Sequence, residues 1–236
     1  MCSLDKLLDN NRNWSRQCVM RDPEFFSRLT RQQAPRYLWI GCSDSRVPAN
    51  EIVGLQSGEI FVHRNVANLV VHSDLNCLSV LQYAVETLKV EQVMVVGHYG
   101  CGGVQAVVEG RTTGLADNWL RHVEDVACKH AGRLAALQSD EGRASLLCEL
   151  NVIEQVANVC RTTVLRRAWS IGQPAEVHGL IYGLHDGLLR RLGDGVRRLD
   201  DWSGWYQRSL ENLPSLAESR ESGTADKLKT GFARSI

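Results

Sequence analysis

Two short apolar runs, Tyr37-Leu38-Trp39-Ile40 and Val93-Met94-Val95-Val96, each stop at a cluster of thiol, imidazole and charged residues. Runs apolar at every position, rather than at alternate ones, suit strands covered on both faces. Such strands belong to parallel sheets joined by crossover helices. Strands are expected at 36–41, 59–64, 92–97 and 176–182, with a candidate antiparallel edge strand at 188–192. Between them, Ser73-Asp74 caps a helix that carries Leu75, Leu78, Leu81, Val85 and Leu88. Further helices are expected over 100–108, 114–137 and 143–167. The alternation gives an α/β fold with a mainly parallel β-sheet flanked by helices.

Ahead of the sheet, Leu4, Leu7, Leu8 and Trp14 recur at helical spacing. Asp22-Pro23-Glu24 then opens a second helix through Phe25, Phe26 and Leu29. Residues 1–35 thus form a helical arm, 36–211 the α/β domain, and 212–236 a polar tail expected to be mobile. The 27 basic and 27 acidic residues cancel, so no sequence-wide excess of cations favours nucleic acid. No apolar run reaches bilayer length, and Met1 to Lys6 lack the features of a signal peptide. With eight cysteines, these features predict a cytoplasmic chain with reduced thiols. Cys2, Cys18, Cys77, Cys128, Cys148 and Cys160 are expected as small buried or half-buried side chains.

The chemistry gathers where the two runs end. Cys42-Ser43-Asp44-Ser45-Arg46 follows the first, and His98-Tyr99-Gly100-Cys101-Gly102-Gly103 follows the second. Ligands in α/β sheets bind beyond the carboxyl ends of strands. Two thiolates and one imidazole suit Zn²⁺, one ion per subunit, and leave a fourth position open. The glycines at 97, 100, 102 and 103 are expected to free the turn and let backbone approach the ion. Two other readings stay open on the residues alone: a closed zinc site with Asp44 as permanent fourth ligand, and unmetallated core thiols. Arg46 bears on the choice, because a guanidinium can grip Asp44 with two parallel hydrogen bonds and hold it off the metal. Asp44 could then alternate between zinc and Arg46. An ion already neutralised by two thiolates is a weaker Lewis acid than one on three imidazoles, so alkaline-favoured activity is expected. The other six histidines (His63, His72, His122, His130, His178 and His185) have no partner at ligand spacing.

These paired motifs resemble the β-class carbonic anhydrases, over roughly residues 1–210. Phe61-Val62-His63-Arg64-Asn65-Val66-Ala67-Asn68 and Ser73-Asp74-Leu75-Asn76-Cys77 belong to the resemblance. It implies Cys42, His98 and Cys101 as zinc ligands, Asp44 and Arg46 as a gating and orienting pair, and reversible hydration of CO2 to bicarbonate. It also implies a homodimer or homotetramer with the arm wrapped over the partner. Trp39, Arg64 and Tyr182 match an inhibitory bicarbonate pocket found in the bicarbonate-regulated, type II subgroup. The chain departs from that subgroup at Leu180, where a tryptophan is expected. Gln33, Phe61, Val66, Tyr83 and Gly102 match substrate-binding positions, Gln33 acting across the subunit boundary. The rivals are hydrolysis of carbon disulfide or carbonyl sulfide on the same ligands, and a non-catalytic bicarbonate-responsive protein with a closed zinc.

Overall fold

A computed structural model describes residues 3–31 and 33–213. The expected tail from 214 onward lies outside the described residues. Helix α1 (Leu4–Arg21) begins at Ser3, whose hydroxyl accepts the Lys6 N–H, and α2 (Phe25–Leu29) follows after Asp22 accepts the Glu24 N–H. The sheet then assembles from β1 (Tyr37–Cys42), β2 (Ile60–Asn65), β3 (Gln92–His98), β4 (Glu176–Tyr182) and β5 (Leu189–Arg191). Its order is β2-β1-β3-β4-β5, with only β5 antiparallel. The chain leaves β1 toward β2 on one side and returns to β3 on the other. The crevice between the ends of β1 and β3 is therefore the topological switch point.

Helices α3 (Ala49–Val53), α4 (Leu75–Gln82), α5 (Gly102–Glu109), α6 (Ala116–Lys129), α7 (Ala131–Ala135), α8 (Asp140–Arg161), α9 (Thr163–Ser170) and α10 (Asp201–Glu211) complete the domain. One sheet face carries the main core, in which α8 buries Leu147, Leu150, Ile153 and Val156 against Val93, Val95, Val177 and Ile181. The other face holds a smaller cluster of Trp39, Val47, Ile60, Val96 and Leu180, edged by Ile52 and Val53 of α3. Among the described residues, no helix is long and apolar enough to cross a membrane.

Helices α3 and α10 extend beyond the sequence expectation. A helix through Leu88 is expected, yet α4 passes at Tyr83–Thr87 into a π-turn in which the Leu88 N–H donates to the Tyr83 carbonyl. Such turns re-aim side chains, here Tyr83, which is 46% exposed. The arm packs on itself, with Trp14 set edge-on against Phe25 and Phe26 at centroid distances of 6.2 and 5.7 Å. Helix α1 buries no residue and leaves Leu4, Leu7, Leu8 and Met20 exposed. Cys77, Cys148 and Cys160 are buried as expected and Cys18 is half-buried, but Cys128 is exposed on the outer side of α6; Cys2 lies outside the described residues.

Helix α10 is fixed by a buried polar knot. Glu154 of α8 accepts hydrogen bonds from His130 Nε2 (2.7 Å), Lys129 Nζ (2.8 Å) and the Tyr206 hydroxyl. Burial alone would push this carboxyl up, but the three donors outweigh it and hold it at about 2. A depressed carboxylate stabilises the fold above its unfolded value of 4.5, and that contribution is lost as pH falls through the folded value. Glu154→Gln is therefore expected to cost about 2 kcal/mol near neutrality. The difference in Tm from the parent should shrink between pH 4.5 and 2, as melts across that range would show. A gap independent of pH would exclude the ionic contribution.

Candidate metal centre

Cys42 ends β1, and His98 ends the adjacent β3. Cys101 immediately precedes α5. The ligand atoms of these three buried side chains lie within 4.8 Å of one another, and the two sulfurs are 3.9 Å apart. His98 Nδ1 donates to the Tyr99 carbonyl at 3.0 Å, which leaves Nε2 as the lone-pair nitrogen. That Nε2 is buried, and among the described residues nothing hydrogen-bonds to it. An orphaned imidazole nitrogen facing two thiols is costly unless a Lewis acid completes it. The donor set fits zinc.

The two thiols titrate as a pair. The hydrogen bond from Cys101 draws Cys42 down; burial opposes the shift, while the N–H groups of Asp44 and Ala67 reinforce it. The same bond, together with burial, pushes Cys101 up. The pair thus shares one proton, with Cys42 the readier thiolate.

The N–H that Ala67 offers Cys42 comes from strained backbone. Ala67 and Asn68 have φ of 63° and 46°, in the left-handed region, at a cost of about 1 kcal/mol each. Helix α8 holds this turn: Asn151 Nδ2 donates to the Ala67 carbonyl at 2.9 Å, and Gln155 Oε1 accepts the Val70 N–H at 2.9 Å. Sequence reasoning did not identify these supporting residues, because no glycine marks the turn and its partners lie far along the chain. The glycine expectation needs correction. Of the four, Gly100 alone takes a left-handed φ, +66°, in the turn between the two β3-side ligands. At Gly97, a Cβ would sit 2.5 Å from Val152, so that glycine lets α8 close on the sheet.

Asp44 is gripped by Arg46. Its Oδ1 accepts the Arg46 backbone N–H at 3.0 Å and Nε at 2.9 Å, and its Oδ2 accepts Nη2 at 2.7 Å. Arg46 Nη2 also donates to the Gly100 carbonyl at 3.1 Å, tying the two ligand segments together. These bonds hold the Asp44 carboxyl well below the usual carboxylate range. Its Oδ2 stands 3.8 Å from His98 Nε2, within a side-chain rotation of the ligand cluster.

Arg64 emerges on the opposite side of this segment, where Nε donates to the Cys42 carbonyl at 2.8 Å and Nη2 donates to the Asp44 carbonyl. Register pairs Gly41 with Arg64 on one side and with Val96, then Leu180, on the other. Period-2 alternation therefore puts Trp39, Arg64, Leu180 and Tyr182 on a single sheet face. Trp39 is fully buried, and its Nε1 is another donor without a partner among the described residues. The indole folds over Gly41, where a Cβ would lie 2.2 Å from Nε1. Two further donors, Arg64 and the Tyr182 hydroxyl, belong to the same face.

The other anticipated site residues divide. Phe61 and Tyr83 pair at 5.9 Å between ring centroids, and Val66 packs at the base of α5, 3.2 Å from a Cβ placed at Gly103. Gly102 is the first residue of α5, with open space where a Cβ would be. Gln33 is exposed and lines a cavity of about 620 Å³ with Phe25, Arg28 and residues 56–59, and Cys42, His98 and Cys101 are not among the described residues lining it. His63, expected to lack a ligand-spaced partner, has Asp74 and Cys77 beside it. A ten-residue connection between His63 and Asp74 hides that proximity in the sequence.

Known proteins share this architecture. A family model described as carbonic anhydrase matches residues 37–189. The chain is 48% identical over 188 residues to a carbonic anhydrase of Emericella nidulans, covering 80% of this chain and 82% of that one. Among solved structures, a Coccomyxa β-carbonic anhydrase in complex with acetazolamide superposes with a TM-score of 0.81 at 37% identity, covering 91% of this chain and 100% of that one. A tetrameric β-carbonic anhydrase of Sordaria macrospora superposes with a TM-score of 0.77 at 37% identity, covering 80% and 96%.

Proposed function

The chain belongs to the β-class carbonic anhydrases, lyases that interconvert CO2 and bicarbonate, and within that class we propose that Cys42, His98 and Cys101 hold the catalytic zinc. The orphaned His98 Nε2 between the two thiols carries this reading. Bound there, zinc supplies Lewis-acid activation of water. The Tyr99 carbonyl fixes the His98 tautomer, while N–H groups from Asp44 and Ala67 favour the Cys42 thiolate. Asp44 is an acceptor for the nucleophile's proton, and Arg46 fixes its direction. Phe61, Val66 and Tyr83 offer CO2 an apolar wall, and Gly102 leaves room at the mouth. Gln33 donates to substrate in a partner's site, which accords with its exposure and with a cavity that the three ligands of its own chain do not line. The exposed apolar side of α1 supports a homodimer or homotetramer, and the free thiols suit the cytoplasm. Stopped-flow CO2 hydration with zinc determination tests the whole reading. A folded chain that is metal-free or inactive would overturn it.

Regulation by bicarbonate is the finer part of the proposal. The buried Trp39 N–H without a partner, beside the Arg64 guanidinium and facing the same side as Tyr182, suits a small anion. Arg64 also holds the carbonyls of Cys42 and Asp44. An anion drawing on that guanidinium would loosen the segment that keeps Asp44 on Arg46, and Asp44 could then close the zinc. Tyr182→Phe is expected to weaken bicarbonate inhibition at neutral pH at least severalfold without lowering activity at alkaline pH. Unchanged inhibition would remove the pocket from the account, despite the match at three positions; Leu180 in the pocket wall would then explain its loss.

A further inference from the structure

Away from the two thiols of the metal centre, a second group of ligand-type side chains converges. His63 projects from β2, Asp74 caps α4 and Cys77 follows in its first turn. Their ligand atoms lie within 4.8 Å of one another. Cys77 is fully buried, His63 nearly so and Asp74 half-buried, which gives the group one wet side. Residues three apart on a helix share a face, so Asp74 and Cys77 present their donors together. Asp74 Oδ1 accepts the Asn76 N–H at 3.0 Å, and among the described residues nothing hydrogen-bonds to Oδ2.

We propose that His63, Asp74 and Cys77 form a second site for a borderline-soft divalent cation, zinc or cadmium. Sulfur, imidazole and carboxylate together select such ions over magnesium or calcium. A helix N-terminus by itself disfavours a cation. Here the carboxylate and the thiolate supply two negative charges and neutralise the ion. Cys77 releases its proton to solvent as the sulfur–metal bond forms, and no redox change occurs. Burial holds that proton firmly, pushing the Cys77 thiol up to about 12, so the second ion binds more weakly than the first. His63 is ready to ligate, since burial, against the opposing Asp74 charge, lowers its proton affinity and keeps the imidazole neutral. Its Nε2 takes only a long, 3.3 Å contact from Asn65 Nδ2, whose tighter 2.7 Å bond is to the Leu69 carbonyl.

The test is equilibrium dialysis of the full chain against buffered micromolar free zinc, followed by metal analysis. The parent should bind two ions per chain. Asp74→Asn, which keeps a capping residue, and Cys77→Ala should each bind one and retain CO2 hydration. His98→Ala should keep one ion and lose it when Asp74→Asn is added, which separates this site from the catalytic one. A single ion on the parent would overturn the proposal. So would two ions retained by both Asp74→Asn and Cys77→Ala, because the extra ion would then sit elsewhere, for instance on the exposed Cys128.

Discussion

His98→Ala is expected to strip the catalytic zinc and lower kcat/KM for CO2 hydration on the order of a thousandfold, about 4 kcal/mol of transition-state stabilisation. The magnitude follows from geometry. Two thiols 3.9 Å apart remain, but two ligands leave the ion loosely held and its open side undefined. The imidazole is also the ligand with the most prearranged direction, because Nδ1 is committed to the Tyr99 carbonyl. Cys148→Ala provides the contrast. This thiol lies in the same core, and burial pushes it up to about 12, yet it belongs to no ligand cluster among the described residues. That variant should keep stoichiometric zinc and near-parental turnover. Metal analysis beside stopped-flow rates checks both. Full zinc and high activity in His98→Ala would remove His98 from the ligand set.

What could be read from the residues alone was whatever is local. Val93–Val96 announces β3 because a strand buried on both faces tolerates no polar position, and β4 spans Glu176–Tyr182, the same residues read from the sequence. Both segments that bring the thiols and the imidazole together were legible for the same reason: each is one short motif at a strand end. Helix α10 was not. Its buried Trp205, Tyr206, Ser209 and Leu210 repeat at helical spacing, but Gly204 interrupts the pattern and docking depends on Glu154 far upstream. The left-handed Ala67–Asn68 turn escaped because such backbone is ordinarily marked by glycine; here α8 enforces it through Asn151 and Gln155. His63 escaped likewise, its partners coming from a helix cap rather than from its own strand. Tertiary clamps of this kind leave almost no periodic trace.

The remaining large effect lies with Asp44 and Arg46. Asp44→Asn should retain zinc but lower CO2 hydration about 100-fold, the usual loss when one positioned acid–base group is removed. An amide cannot take the nucleophile's proton, and it would present an N–H toward either Arg46 or the metal. Arg46→Ala should be at least as damaging for a different reason. It removes three of the N–H contacts that face Asp44 and Gly100 and frees a carboxylate 3.8 Å from His98 Nε2. An unrestrained carboxylate is a competent zinc ligand, so Asp44 would occupy the open coordination position and exclude substrate. Arg46→Lys should fall between, since one ammonium cannot reproduce two parallel bonds. The double variant decides between gating and mere orientation. If Arg46 holds Asp44 off the metal, adding Asp44→Asn to Arg46→Ala should raise activity above that of Arg46→Ala alone. A double variant no more active than Arg46→Ala would reduce Arg46 to an orienting role, and with it the switch between open and closed sites would fall.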